Sequence, residues 1–126
     1  MIKEGNNVNL AVPSEYLENS NELCDLFNER NENDSVGLSP HTVKNRKASV
    51  KKMRPILDSI GLYKLNQLQE LEVLIELRKA VAKALSAGKL GRGGTPDTHI
   101  SNFITLCGRV GLPNSDVQNL KGILKQ

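Results

Sequence analysis

A run of six basic side chains with no acidic residue among them is the strongest chemical signal in the sequence. The run lies between His41 and Arg54 and comprises Lys44, Arg46, Lys47, Lys51, Lys52 and Arg54. Four of these cations recur at spacings of three and four, which places them on one side of a helix: Lys44, Lys47, Lys51 and Arg54. Like charges at these spacings repel, and a face needed only for solubility would more often mix signs. The run therefore favours a polyanion-binding surface over a merely solvated helix face.

Small and amide side chains lie among these cations, and a weaker basic cluster follows later in the chain. Asn45, Ala48 and Ser49 interrupt the run, and the glycine-rich stretch GKLGRGG at 88–94 precedes a second polar segment. In a DNA groove, Lys and Arg hold phosphates while amide and small side chains approach base edges. We expect the phosphate contacts to come from Lys44, Arg46, Lys47, Lys51, Lys52 and Arg92. We expect the base-edge contacts to come from Asn45, His99 and Asn102.

The remaining reactive residues do not form a catalytic or metal-binding pattern. His41, His99, Cys24 and Cys107 show no CxxC or HxxxH spacing, so we expect no metal, no cofactor and no enzymatic activity. GKLGRGG lacks the P-loop order of GxxxxGK followed by Ser or Thr. Both cysteines lie within helical apolar patterns, which predicts small buried side chains in a reducing compartment.

The composition predicts the elements that position these residues. A chain of 126 residues is long enough for one core. Aromatic residues make up 3% of the sequence and Trp is absent, so aliphatic side chains must supply the buried area. This favours an all-α, compact bundle of four to five helices. No stretch approaches the ~20 apolar residues of a membrane span, and the N-terminus lacks a signal-peptide core, so we expect a cytoplasmic protein with no membrane contact.

Apolar spacing predicts where the helices lie. Helices are expected over 14–31, 40–60, 65–87 as one or two segments, 95–110 and 116–125, with a loop over 31–38. Ser39-Pro40 and Thr95-Pro96 are helix-start signals, and Asn114-Ser115 is expected to cap the last helix.

The charge distribution divides the chain into an acidic segment and a basic body. Residues 1–38 carry two cations against eight anions, a net charge of −6, whereas residues 39–126 carry fifteen against six, a net charge of +9. We divide the chain into an N-terminal arm (1–13) whose order the sequence leaves open, an acidic helix and linker (14–38), and a basic helical bundle (39–126).

These features together resemble the N-terminal core-binding domain of tyrosine recombinases and phage integrases, most closely the Cre type. The resemblance covers about residues 20–125 and rests on Ser39-Pro40-His41-Thr42, the basic helix, the Leu-rich helix pair, and the helix from Thr95 to Gly111-Leu112-Pro113. It implies a helical bundle that holds one face of duplex DNA during DNA recombination or integration. By position it implies DNA contacts at Thr42, Lys44, Asn45, Ala48 and Lys51, and at Thr95, Thr98, His99 and Asn102.

The sequence departs from the family in one large respect. The Arg-rich catalytic domain with its tyrosine nucleophile is missing, and only Tyr16 and Tyr63 are present. We therefore expect double-stranded DNA binding without strand cleavage by this chain.

The alternative is a small interaction or regulatory module whose basic face docks an acidic partner. A neighbouring copy could supply that partner through its acidic N-terminal segment, which would give self-association.

Overall fold

The computed structural model describes residues 19–125, which fold into five α-helices with no β-strand in that range. The helices are α1 (Ser20–Asp34), α2 (Pro40–Ser59), α3 (Leu71–Ser86), α4 (Thr95–Arg109) and α5 (Asn114–Leu124). Short 3₁₀ turns at Ser35–Gly37 and Leu65–Gln69 precede α2 and α3. The all-α bundle predicted from the composition is confirmed. The N-terminal arm (1–13) lies outside the described residues.

The basic helix α2 begins and ends where its sequence predicts. The Ser39 hydroxyl accepts a hydrogen bond from the Thr42 amide at 3.1 Å, and Pro40 occupies the first turn, where an amide hydrogen is not needed. At the other end, Gly61 takes a positive φ of 67°, which lets the Leu62 amide donate to the Leu57 carbonyl at 2.9 Å.

The core lies between α1, α2 and α4 and continues to α3 and α5. Leu23, Cys24 and Phe27 of α1 belong to the same cluster of buried side chains as the residues of the basic body. Phe27 packs edge-on against Phe103 of α4, with ring centroids 5.8 Å apart and planes at 83°. The acidic helix is thus part of one core with the basic helices. Cys24 and Cys107 are buried and unpaired with each other, as expected.

The bounds predicted for the first helix, 14–31, were wrong at the C-terminal end. Residues 31–34 were assigned to a loop, but α1 continues to Asp34 because tertiary contacts hold its last turn. The Asn31 side-chain amide donates to the Val43 carbonyl at 2.9 Å, and Asp34 pairs with basic side chains. At the N-terminal end, Asn19 caps the helix by accepting from the Glu22 amide at 3.1 Å. Residues 14–18 lie outside the described part of the chain.

The starts of α3 and α5 also differ from the prediction, whereas α4 begins at Thr95 as predicted. The segment 65–87 contains a 3₁₀ turn and then α3, because the Gln67 side-chain oxygen accepts from the amides of Tyr63 and Lys64 and stabilises the turn. Gly94 and Pro113 take the cap positions of α4 and α5, so Thr95 and Asn114 are the first helical residues. Inside the glycine-rich loop, Leu90 is fully buried and anchors that loop to the core.

An ion pair joins the end of α1 to the end of α4. The Arg109 guanidinium donates from Nε and Nη2 to the two carboxylate oxygens of Asp34 at 2.9 and 2.8 Å. The Arg109 hydrogen bond lowers the pKa of Asp34, and Arg30 contributes in the same direction. One acidic residue of the segment 14–38 is therefore neutralised by the basic body of the same chain.

We expect the contribution of this ion pair to protein stability to decrease as the pH becomes acidic. Because folding lowers the pKa of Asp34, the pair stabilises the protein fully above the unfolded-state pKa, near 3.8, and this contribution is lost as pH falls through the lower folded-state pKa. Urea unfolding of Arg109→Met and of the unmodified protein should therefore differ at pH 6 and converge at the most acidic pH. A difference that stays constant across this range would contradict the assignment.

Candidate nucleic-acid interface

The exposed side of α2 carries five cations, which we call the cationic face: Lys44, Lys47, Lys51, Lys52 and Arg54. All five are exposed, and none of them forms an ion pair with a residue of 19–125. Four other cations of residues 19–125 are paired: Arg30 and Arg109 with Asp34, Lys79 with Glu76, and Lys125 with Asp97. The remaining unpaired cations are spread over the other helices and loops, whereas these five lie within eleven residues of one helix. Ala48 is also exposed at the middle of the face. The face therefore combines closely spaced, unpaired positive charges with a small side chain, Ala48, near its centre.

Arg46, also expected to contact phosphate, lies elsewhere on the helix. At about 100° per residue it falls on the side opposite Lys44. It is half-buried, and its Nε atom is shielded from solvent without a hydrogen-bond partner in the described structure. We therefore leave Arg46 out of the cationic face.

A groove of about 450 Å³ runs between α1 and α2 beside the cationic face. Four of the five cations line it, and α1 contributes Cys24, Asp25 and Asn28. Burial raises the pKa of the Cys24 thiol to about 11, so the thiol is protonated at neutral pH and adds no charge to the groove. The groove combines a basic wall from α2 with a polar wall from α1.

His99 and Asn102, expected to contact base edges, instead hydrogen-bond to a buried serine of α2. His99 is only 8% exposed, and its Nδ1 lies 2.7 Å from the Ser49 hydroxyl. The Asn102 side-chain amide donates to the same hydroxyl at 3.0 Å, and that hydroxyl donates to the Asn45 carbonyl at 2.9 Å. Burial, with a smaller effect of Lys52, lowers the pKa of His99. The structure thus gives His99 and Asn102 a packing role between α2 and α4.

We expect Ser49→Ala to destabilise the protein, because the Ser49 hydroxyl is the shared partner of both α4 side chains. Loss of a buried partner costs about 1–3 kcal/mol. Urea unfolding followed by circular dichroism measures this cost. Thr98→Ala is the control, since its hydroxyl is exposed and bonds only within the first turn of α4. Equal stability of Ser49→Ala and the unmodified protein would show that the cluster contributes nothing.

The other predicted contact residues lie outside the cationic face. Asn45 falls about 100° around α2 from Lys44 and Thr42 about 160°, on the side of Arg46. Asn45 is half-buried, and its side-chain amide lies 3.1 Å from His41 Nε2. Thr42 is half-buried beside the Ser39 cap, with the two hydroxyls 2.9 Å apart. Arg92 is exposed in the loop before α4, and Thr95 and Thr98 are exposed in the first turn of that helix. The contact between His99 and Ser49 brings this end of α4 alongside α2.

Asp25 and Asn28 belong to the groove although sequence reasoning did not single them out. Both lie on α1 next to the buried residues Cys24 and Phe27, so helical spacing alone predicts that they flank the buried side of that helix. Which helix packs beside them follows only from the three-dimensional arrangement.

Comparisons with known proteins do not identify this arrangement: no family model, curated protein or solved structure matches the chain. Within residues 19–125, no group of three or more His, Cys, Asp or Glu side chains is placed to hold a metal ion. No helix of that range has the length and apolar character needed to cross a lipid bilayer.

Proposed function

We propose that this protein binds double-stranded DNA through the cationic face of α2. The observation that carries the proposal is the set of five exposed cations on one helix, none of them in an ion pair within residues 19–125. Keeping these like charges together costs folding free energy: Lys47 and Lys51, four residues apart, repel each other by about 0.2–0.5 kcal/mol. Phosphate groups would supply the missing counter-charges.

The dimensions of α2 support a groove-binding mode. The helix has 20 residues and is therefore about 30 Å long. The major groove of B-DNA is about 12 Å wide and accepts one α-helix. Exposed Ala48, with no long side chain, allows the backbone of α2 to approach the bases while the cations on either side reach the phosphates. Arg92 in the loop before α4, and Thr95 and Thr98 in its first turn, extend the same surface.

We further propose that the bundle is a core-binding domain of the tyrosine recombinase and integrase type. Five helices, a Ser-Pro start to the basic helix and a second polar helix start alongside it support this proposal. In this role the domain binds DNA and does not itself cleave the strands. Two buried, unlinked cysteines suit a cytoplasmic location.

Fluorescence anisotropy of a labelled random-sequence duplex tests DNA binding. Because binding releases counterions, five phosphate contacts predict that the logarithm of the association constant falls with the logarithm of salt concentration with a slope of about −4 to −5. Titrations between about 50 and 200 mM salt measure that slope. Absence of binding at the low-salt end would refute the proposal.

A second candidate function rests on exposed acidic residues of α1. Asp25, Glu29 and Glu32 are exposed, so the acidic side of one copy could dock on the cationic face of another. Light scattering after size exclusion separates the candidates. An oligomer that dissociates at high salt and ignores DNA would favour docking between copies, whereas a monomer that binds DNA would favour the first proposal.

A further inference from the structure

Asp25 is an exposed carboxylate on the wall of the α1–α2 groove and is the one acidic residue among those that line it. It lines the α1–α2 groove together with Lys44, Lys47, Lys51 and Arg54. No ion pair joins Asp25 to any of these cations in the described structure. Asp34, in the same helix, is in contrast neutralised by two arginines. The Asp25 carboxylate oxygens therefore keep their hydrogen-bonding capacity beside the surface that we assign to DNA.

The neighbours of Asp25 fix its position. Cys24, adjacent in the chain, is 4% exposed and packs in the core, and Phe27 one turn later is 1% exposed. Ser20, at the start of α1, donates from its hydroxyl to Asp58 of α2 at 3.0 Å. These contacts hold α1 against α2, so the carboxylate stays at the groove edge.

A carboxylate at this place repels phosphate and accepts hydrogen bonds from amino groups. Among the groups exposed in the DNA major groove, the N4 amino group of cytosine is a donor that Asp and Glu accept. The four cations around Asp25 suit phosphates on either side of such a base. A carboxylate among these cations weakens binding to every duplex, unless a base donates a hydrogen bond to it.

We infer that Asp25 is a specificity-determining residue that accepts a hydrogen bond from a cytosine amino group. This inference rests on the proposed DNA-binding function and deepens it. Asp25 lowers the affinity for duplexes in general and restores it where a cytosine lies at one position of the bound site.

Selection from a library of random duplexes, followed by anisotropy on a non-selected duplex, tests the inference. The variants are Asp25→Ala, which removes both the charge and the acceptor oxygens, and Asp25→Asn, which removes the charge but keeps one acceptor oxygen. Glu32→Gln is the control, because it makes the same charge change on an exposed side chain of α1 that does not line the groove.

We expect both Asp25 variants to bind the non-selected duplex about threefold or more tightly at about 50 mM salt, since one repulsive charge is gone. The unmodified protein should enrich cytosine at one position, and Asp25→Ala should lose that enrichment while Glu32→Gln keeps it. A selection without a cytosine-enriched position, or the same enrichment with Asp25→Ala, overturns the inference while leaving DNA binding intact. Failure of the unmodified protein to bind any duplex refutes the proposed function itself.

Discussion

Reversing the charge of Lys47 and Lys51 to glutamate is expected to abolish duplex binding without unfolding the protein. Both side chains are exposed at the centre of the cationic face and line the α1–α2 groove. The double variant removes two phosphate contacts and adds two repulsive ones. At about 50 mM salt we expect an affinity loss of at least 100-fold. Anisotropy titrations measure the loss, and circular dichroism checks the fold.

The structure also predicts the effect of this variant on stability. Glutamate at 47 and 51 forms attractive pairs with Lys44 and Arg54, each at a spacing of three, while a Glu–Glu pair at a spacing of four replaces the Lys–Lys pair there. Lys47→Glu with Lys51→Glu should therefore be at least as stable as the unmodified protein. Loss of binding together with unchanged or increased stability would separate a functional role of the face from a structural one.

A charge-matched control lies on α3. Arg78 and Lys83 are exposed there and do not line the groove. Arg78→Glu with Lys83→Glu changes the net charge by the same amount as the α2 variant and should retain most of the binding. Equal losses in the two variants would mean that net charge alone, and no particular face, governs binding. Persistent binding by folded Lys47→Glu with Lys51→Glu would contradict the assignment of α2.

Truncating Phe103 to alanine is expected to have the largest effect on stability. Phe103 is 1% exposed and packs edge-on against Phe27, where α1, α2 and α4 meet. Large-to-small changes of a buried phenylalanine cost about 3–5 kcal/mol, a large part of the ~5–15 kcal/mol that stabilises a domain. Urea unfolding followed by circular dichroism measures this loss.

Phe103→Leu is the matched control, because it keeps most of the buried volume and loses only the aromatic contact. We expect it to cost less than half as much as Phe103→Ala. A loss below about 1 kcal/mol for Phe103→Ala would show that the site is not the packed centre of the bundle. The result bears on function because this contact holds α1, and with it the polar wall of the groove, against the rest of the core.

Sequence patterns predicted the helices best where local signals and apolar spacing agree. For α2, the Ser39 cap, Pro40 and Gly61 all act within a few residues, so both ends follow from local chemistry. Pro55 would argue for a break in that helix, yet α2 continues past it, because Pro55 lies on the exposed side and its neighbours Ile56 and Leu57 are buried.

The errors fall where contacts between distant residues decide the outcome. Asn31 and Asp34 look like loop residues, but Val43 and Arg109 hold them in the last turn of α1. His99 looks like an accessible polar side chain, but Ser49, fifty residues earlier in the chain, provides its buried partner. Arg46 belongs to the basic run, but its helical position directs it away from the other cations. Asp25 enters the groove only because α1 packs on α2.

The most direct test of the central claim is to map the DNA-binding surface residue by residue. Amide chemical shifts of the isotopically labelled protein, recorded by NMR with and without a short duplex, report which helix meets DNA. We predict the largest changes along the exposed side of α2, from Lys44 to Arg54, with smaller changes at Arg92 and Thr95. Changes confined to α3 and α5, or none at low salt, would contradict the claim that the cationic face of α2 binds DNA.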